Sequence, residues 1–551
     1  MAKPKIVVLG GALSGPTAAA HARETDCRAQ IVLLERAKTV SYAVGGLPYV
    51  LSGEIVARTD IAPHRPEFFR HDYAVDVRTG VSVERIDPGK RKVHTSAGVF
   101  AYDSLIYALG AGSVLPAVFG EGASNLSFLR NPAHLQAIVR ALDKGARKLV
   151  IVGGGYYGVE AADCLARRGV EVTLVEQGPQ LLPEFSPAAA ERARAALVGE
   201  GVTVIVGAGV DAVRHKGKAI FAVEVGGEAI ASDLILVTAG VRPRSEIFAA
   251  AGGALQRDGS ILVDDRGATS LPGVFATSIC VSHRHAVTGK PAWTAQASDA
   301  DKTAQVAGIN AAGGAAKLGP TLATAIVRAG PLDLARTGLT EVGGKLDVAR
   351  VRVSGHDRDP FFVASAGLDL TLYYASKTER VVGAELVGGG GVDKRVDVLA
   401  TAILAKLTLA QLAQLDLAYS PPYSLARDLV NVAGIVGQHG GRHGAAVRVW
   451  ALDEFLARDP KVPVYDLRSK AERKAAPAPE LAAEAIDLAE VREAKPSRWG
   501  RGPIVFVCET GRSAYLAARA AAQLGHAEAG YLSGGLRALR GEVVSLGGQG
   551  A

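Results

Sequence analysis

The chain has 551 residues, 62 basic against 55 acidic for a formal charge of +7, and is 48% hydrophobic and 21% charged. That length exceeds one hydrophobic core and implies three to five domains, while the composition excludes disorder as the dominant state. A charge excess this small describes a mildly basic solvated surface and gives no case for nucleic acid; no run of about 18 apolar residues offers a membrane span; and four scattered cysteines without a CxxC pair exclude a zinc or disulfide framework. The expectation is a cytoplasmic α/β protein without a metal.

In chain order, MAKPKIVVLGGALSG reads as a strand entering a glycine turn and not as a leader, because the apolar run Ile6–Leu9 breaks at once into Gly10–Gly11. An Ala-rich helix follows Gly15, and a second strand ends in Glu35, 20 residues beyond that glycine. At this spacing a carboxylate meets an adenosine ribose while a pyrophosphate rests on the helix N-terminus. The middle fingerprint position is Ala12, whose Cβ crowds the closest backbone approach to a pyrophosphate. The same grammar returns in KLVIVGGGYYGVEAADCLARRGVEVTLVE, with Gly153, Gly155 and Gly158 completing the fingerprint and Glu176 ending the next strand. Two such units, each with its acid, are a strong signal for two adenine dinucleotides. Glu176 would repel a 2′-phosphate, so NADH is favoured over NADPH.

Further on, YDSLIYALGA (with Ala108 and Gly110), SDLILVTAGVRP (with Gly240), GVDKRVDVLATAI and LDLAYSPPYSLARD complete a pattern. It resembles the pyridine-nucleotide disulfide oxidoreductases, specifically coenzyme A disulfide reductases and their NADH oxidase relatives, from Lys5 to about Gly440. From about Gly441 to Ala551 the chain resembles a single rhodanese domain, with VPVYDLR as its opening strand. The resemblance implies two Rossmann-like FAD/NAD(P)-binding domains, an α+β dimerisation domain and a rhodanese-like α/β domain. The FAD domain would be split over 1–113 and 244–319, the NAD(P) domain would occupy 114–243, the dimerisation domain 320–440 and the rhodanese 441–551. It also implies FAD, NADH and a homodimer, and handling of small sulfur or thiol species. Whether coenzyme A binds is left open, since His21 and Arg23 lie where the family has basic residues near its phosphates.

The chain departs from the family at several points. The family's active segment runs Ser-Tyr-Ala-Asn-Cys-Gly-Leu-Pro-Tyr; here SYAVGGLPY puts Gly45 at the redox cysteine. Ile279 stands where an aspartate would hold the flavin ribityl chain, and Phe362 where a tyrosine would polarise bound sulfur. Tyr419 and Tyr423 remain, as residues projecting across a dimer interface or as interface packing. Cys164 and Cys27 read as core and incidental, and Cys280 as a small apolar residue that also lies near the flavin segment. The apolar positions Val392, Val396, Leu399, Ile403 and Leu407 form one helical stripe that fits an internal core and a dimer interface equally.

Cys508 is the catalytic candidate. It follows a buried strand and precedes a helix, so the loop CETGRS can turn N–H groups and the helix dipole toward a thiolate or a persulfide S⁻. Gly511 permits the curvature and Arg512 supplies charge, although the rhodanese pattern has its arginine at Ser513. Three functions follow: an NADH-linked flavoprotein fused to a sulfurtransferase, a flavin NADH oxidase or acceptor reductase, and a degenerate reductase body serving as a scaffold for the rhodanese.

Overall fold

The computed structural model describes residues 3–56, 61–440, 447–450 and 455–540. The expected tail boundary at Gly441 and its end at Ala551 lie outside these residues. The chain forms two compact units, one of Met1–Pro183 with Leu197–Ala323 and the other of Glu184–Ala196 with Thr324–Ala551.

The first unit holds two five-stranded parallel sheets built on one plan. In the first, β1 (Lys5–Leu9), β2 (Gln30–Glu35), β3 (Val75–Thr79), β4 (Ser104–Tyr107) and β12 (Val274–Ala276) lie in the order β12-β4-β1-β2-β3, with helix α1 (Ser14–Thr25) between β1 and β2. Two short strands, β5 (Ala111–Ser113) and β11 (Val241–Pro243), pair antiparallel where the chain leaves this part and returns to it. In the second sheet, β6 (Leu126–Ser127), β7 (Lys148–Val152), β8 (Glu171–Glu176), β9 (Thr203–Val206) and β10 (Leu234–Val237) run β9-β8-β7-β10-β6. Helix α3 (Tyr156–Arg167) links β7 to β8, α2 (Leu47–Ser52) lies against α3, and α4 (Ala297–Ala311) packs on α1. β1 and β7 are buried over four of their five residues, as parallel strands covered on both faces must be. The chain steps to opposite sides of β1 and of β7. The crevices β1/β4 and β7/β10 are therefore the topological switch points, where α/β sheets bind ligands.

The second unit begins with an antiparallel sheet of β13 (Ala325–Ala329), β14 (Leu332–Gly338), β15 (Val348–His356), β16 (Gly367–Ala375) and β17 (Val381–Gly388), in the order β13-β14-β17-β16-β15. It is backed by α5 (Val392–Leu404) and α6 (Leu429–Gly437). Val392, Val396, Leu399 and Ile403 are buried on α5. Leu407 falls outside that helix, which ends because Lys406 turns to φ +58°. A guanidinium is buried here too: Arg395 makes a double contact with Asp428 at 2.7 and 3.0 Å.

The tail is a parallel sheet of β18 (Arg448–Trp450), β19 (Val464–Asp466), β20 (Glu484–Ala485), β21 (Ile504–Val507) and β22 (Ala529–Leu532), ordered β18-β22-β21-β19-β20. Helix α7 (Arg512–Gln523) lies on it through Ala514, Ala517, Ala518 and Ala521, all fully buried. Their small side chains bring the helix close to the strands. Two contacts seat the tail on the rest of its unit. The Arg352 N–H donates to the Ser533 hydroxyl at 2.8 Å, which donates back to the Arg352 carbonyl at 2.6 Å. His439 stacks on Tyr515, centroids 3.7 Å apart, and hydrogen-bonds the Tyr531 hydroxyl at 3.1 Å. Burial pushes its imidazole down to about 4, with Arg519 adding to the effect, so the ring is neutral in ordinary buffers.

Candidate functional site: two dinucleotide cradles and a tail thiol

Each switch point is shaped by the absence of a Cβ. A Cβ on Gly15 would lie 1.8 Å from the Gly10 carbonyl oxygen, and one on Gly158 1.9 Å from that of Gly153. Helix α1 and helix α3 can therefore start against their strands only with glycine at these positions. Gly10 and Gly153 sit at φ +103° and +110°, turned against Ala108 and Thr238 at the ends of β4 and β10. The acids close both turns in the same way. Glu35 accepts the Gly11 N–H at 2.6 Å and the Ala37 N–H at 2.6 Å; Glu176 accepts those of Gly154 at 2.6 Å and Gly178 at 2.7 Å. Each carboxylate oxygen keeps a second lone pair with which to accept a ribose hydroxyl.

The cradles differ at their middle position. A Cβ at Gly155 would meet nothing within 4 Å, which leaves open space over the start of α3 for a pyrophosphate. In the first cradle Ala12 already carries its methyl. Its carbonyl accepts the Tyr42 N–H at 3.3 Å, tying the turn to the Ser41–Val50 segment.

Sequence reasoning missed a group of cations. Arg36, Arg130 and Arg244, from three distant stretches, all act on the Tyr42 phenol. Burial and Glu35 raise its pKa, and the three guanidinium groups oppose that. Arg130 and Arg244 also hold the His134 imidazole below its usual value, after burial. Three like charges facing one tyrosine beside Glu35 suit a cofactor that carries phosphate. No sequence period joins positions 36, 130 and 244, so only the fold brings them together.

The flavin segment forms one wall with the crossover glycines. Ser278 adopts φ +79°, a side-chain-bearing residue in the left-handed region, and a Cβ on Gly110 would touch its hydroxyl at 3.4 Å. The Ile279 carbonyl accepts the Trp293 indole N–H at 2.9 Å. Gly240, at φ +99°, lies just before β11 on the return crossover. Gly45 is exposed in a short 3₁₀ turn, and a side chain there would meet nothing within 4 Å.

None of the four cysteines is in a disulfide, and their surroundings differ sharply. Cys164 and Cys280 are fully buried. Burial pushes the Cys280 thiol up to about 12, and it donates to the Thr277 carbonyl at 3.1 Å. Cys27 is exposed in the connection between α1 and β2. Cys508 is 5% exposed at the end of β21, and its sulfur accepts the Ala514 N–H from the first turn of α7 at 3.4 Å. Gly511, at φ +87°, makes the turn between them. Arg512 is exposed and Ser513 half-buried. Tyr419 and Tyr423 belong to the second unit and are both exposed; the Tyr419 hydroxyl donates to Asp359 at 3.2 Å. Among the described residues, no cluster of three His, Cys, Asp or Glu could hold a metal, and no helix is long and apolar enough to cross a membrane.

Known proteins share this plan. An NADH oxidase of Methanocaldococcus jannaschii is 29% identical over 439 residues, covering 78% of this chain and 97% of its own. The crystal structure of reduced Bacillus anthracis CoADR-RHD superposes with a TM-score of 0.89 at 28% identity, over 99% of this chain and 100% of that one. An NAD-dependent persulfide reductase from A. fulgidus does so with a TM-score of 0.87 at 29% identity, over 97% and 99%. The family pattern of the pyridine nucleotide-disulphide oxidoreductases matches residues 4–329, which include both cradles, and the chain belongs to that family.

Proposed function

We propose that this protein is an FAD- and NAD(P)H-dependent oxidoreductase, with NADH preferred, joined to a rhodanese-type sulfurtransferase tail. It acts on persulfide, polysulfide or coenzyme A-linked sulfur, and the family's disulfide reduction has been lost at Gly45. The observation that carries this reading is the environment of the thiols. Two are sealed in cores, Gly45 offers no side chain, and Cys508 has a helix N-terminal amide on its sulfur. A hydrogen bond from a helix N-terminus would stabilise the terminal S⁻ of a persulfide carried on that sulfur. The likeness to CoADR-RHD and to the persulfide reductase, running through the tail, supports the same conclusion.

Both cradles fit their dinucleotides. Gly10, Gly11 and Gly15 with Glu35 would hold the adenosine half of FAD, and Arg36, Arg130 and Arg244 would offset its phosphates. Gly153, Gly155 and Gly158 with Glu176 would hold NADH. Bound flavin supplies two-electron chemistry between a nicotinamide and an acceptor. The Glu176 carboxylate, already oriented by two backbone N–H groups, excludes a 2′-phosphate by charge. In the tail, the Ala514 N–H orients the Cys508 sulfur and the Gly511 turn joins the loop to the helix that supplies that N–H. Two copies of the chain form the working molecule, in keeping with the exposed aromatic surface of the second unit.

The test is direct. Purified protein is expected to be yellow and to bleach on addition of NADH. Sulfur transfer to cyanide is expected to disappear in Cys508→Ser, and reduction of coenzyme A disulfide to be absent from the wild type. A colourless preparation that takes up neither dinucleotide would sink this reading in favour of a scaffold. The similarity to an NADH oxidase favours a second reading, in which oxygen or a quinone is the acceptor. NADH turnover that depends on oxygen and is unchanged in Cys508→Ser would select it.

A further inference from the structure

The residue after the tail thiol is an acid, and nothing in the reading above uses it. Glu509 is held in place from both ends. The Leu536 N–H donates to the Cys508 carbonyl at 2.9 Å and the Arg537 N–H to the Glu509 carbonyl at 3.1 Å, so the loop is pinned to the start of α8 (Gly535–Arg540). Gly535, at φ +64°, makes this approach feasible, since a Cβ there would lie 2.5 Å from the Cys508 and Glu509 carbonyls. The Glu509 carboxylate then faces the Arg537 guanidinium at 3.4 Å, with both side chains about three-quarters or more buried. Arg537 is also close enough to act on His356 at the end of β15. Two cations therefore border the thiol loop, and one of them, Arg537, is matched by an acid while Arg512 stands exposed in water.

Resting on the sulfurtransferase reading of Cys508, we infer that Glu509 is a specificity-determining residue: by masking Arg537 it directs the tail toward sulfane sulfur carried on a thiol and away from the dianion thiosulfate. With a thiol persulfide, the Cys508 thiolate attacks the outer sulfur of RS–SH. The S–S bond breaks, RS⁻ leaves and takes the proton as RSH, and Cys508–S–S⁻ remains. With thiosulfate the same attack expels sulfite, SO₃²⁻. Cyanide then removes the outer sulfur as thiocyanate and regenerates the thiolate. Charge balances in every step, but the encounters differ. A thiol persulfide RS–SH carries its further charges on the carrier, away from the attacked sulfur, whereas thiosulfate brings two negative charges within a bond of it and so depends more on nearby uncompensated cations.

A charge series in the full-length protein tests this, with kcat/KM for thiosulfate and for glutathione persulfide measured against cyanide. Glu509→Gln, which frees the Arg537 charge, is expected to raise the thiosulfate value about tenfold. Arg537→Gln, which removes that cation and keeps the Glu509 charge, is expected to lower it by about as much, and the double variant to return near wild type. The persulfide value should move less than about twofold throughout. Added salt should flatten the thiosulfate series, a response that a purely structural role would not produce. Parallel changes with both donors, or a wild type that prefers thiosulfate, would overturn this inference alone. No transfer from either donor, or transfer that survives in Cys508→Ser, would overturn the sulfurtransferase reading and this inference with it.

Discussion

Cysteine reactivity in this chain is set by where each sulfur lies. At pH 8, a Cys280 thiol held near 12 is ionised to about one part in ten thousand, and no solvent reaches it. Native protein treated with a thiol reagent should therefore label fast at Cys27, while Cys164 and Cys280 label only after denaturation; mass spectrometry of the labelled peptides measures this. Rapid labelling of Cys280 in the native state would contradict its position in the core. At this scale the sequence was informative about Cys164, Cys27 and Cys508, because an Ala-rich helix, a polar connection and a strand–loop–helix junction each leave a local mark. It was silent about Glu509, whose partner Arg537 lies 28 residues on and meets it only once the tail sheet has formed. It was silent as well about Arg36, Arg130 and Arg244, which reach Tyr42 from separate turns.

Among the elements, strand ends and helix starts were the most legible parts. β2 ends at Glu35 and β8 at Glu176, as the glycine-to-acid spacing requires, because that geometry is local. Helix α5 stops short of Leu407 for an equally local reason, but one that apolar periodicity does not encode. The Arg395–Asp428 pair gives this region its own pH dependence. Burial works against the Asp428 charge, but the guanidinium, the Val430 N–H and the Ser424 hydroxyl outweigh it and hold the carboxyl below its usual range. A depressed folded-state pKa means the stabilisation is present above the unfolded carboxylate value and is lost as pH falls through the folded one. Thermal unfolding midpoints should accordingly decline below about pH 4. Asp428→Ala, which strands a buried guanidinium, should cost about 3–5 kcal/mol at pH 7. A variant with unchanged denaturation would show that the pair contributes nothing.

At the scale of the whole molecule, the second unit leaves an apolar aromatic surface uncovered: Phe361 is 73% exposed, Val363 fully so, and Tyr423 74%. Exposed apolar groups of this kind are what the dimer proposed above would cover. Sedimentation should give twice the 56.9 kDa chain mass, and a Phe361→Asp, Val363→Asp variant should shift it toward the monomer. A wild type that sediments as a monomer would leave that surface without the role proposed for it.

The way His439 lies between Tyr515 and Tyr531 bears on any attempt to study the tail alone. A fragment starting after that histidine would bare one ring face on α7 and a phenol hydroxyl on β22. The Ser533 hydroxyl would likewise lose both of its bonds to Arg352. Such a fragment would meet water with surfaces made for a neighbour. Its sulfur chemistry would then reflect an altered loop, so excising the tail would change the property being measured.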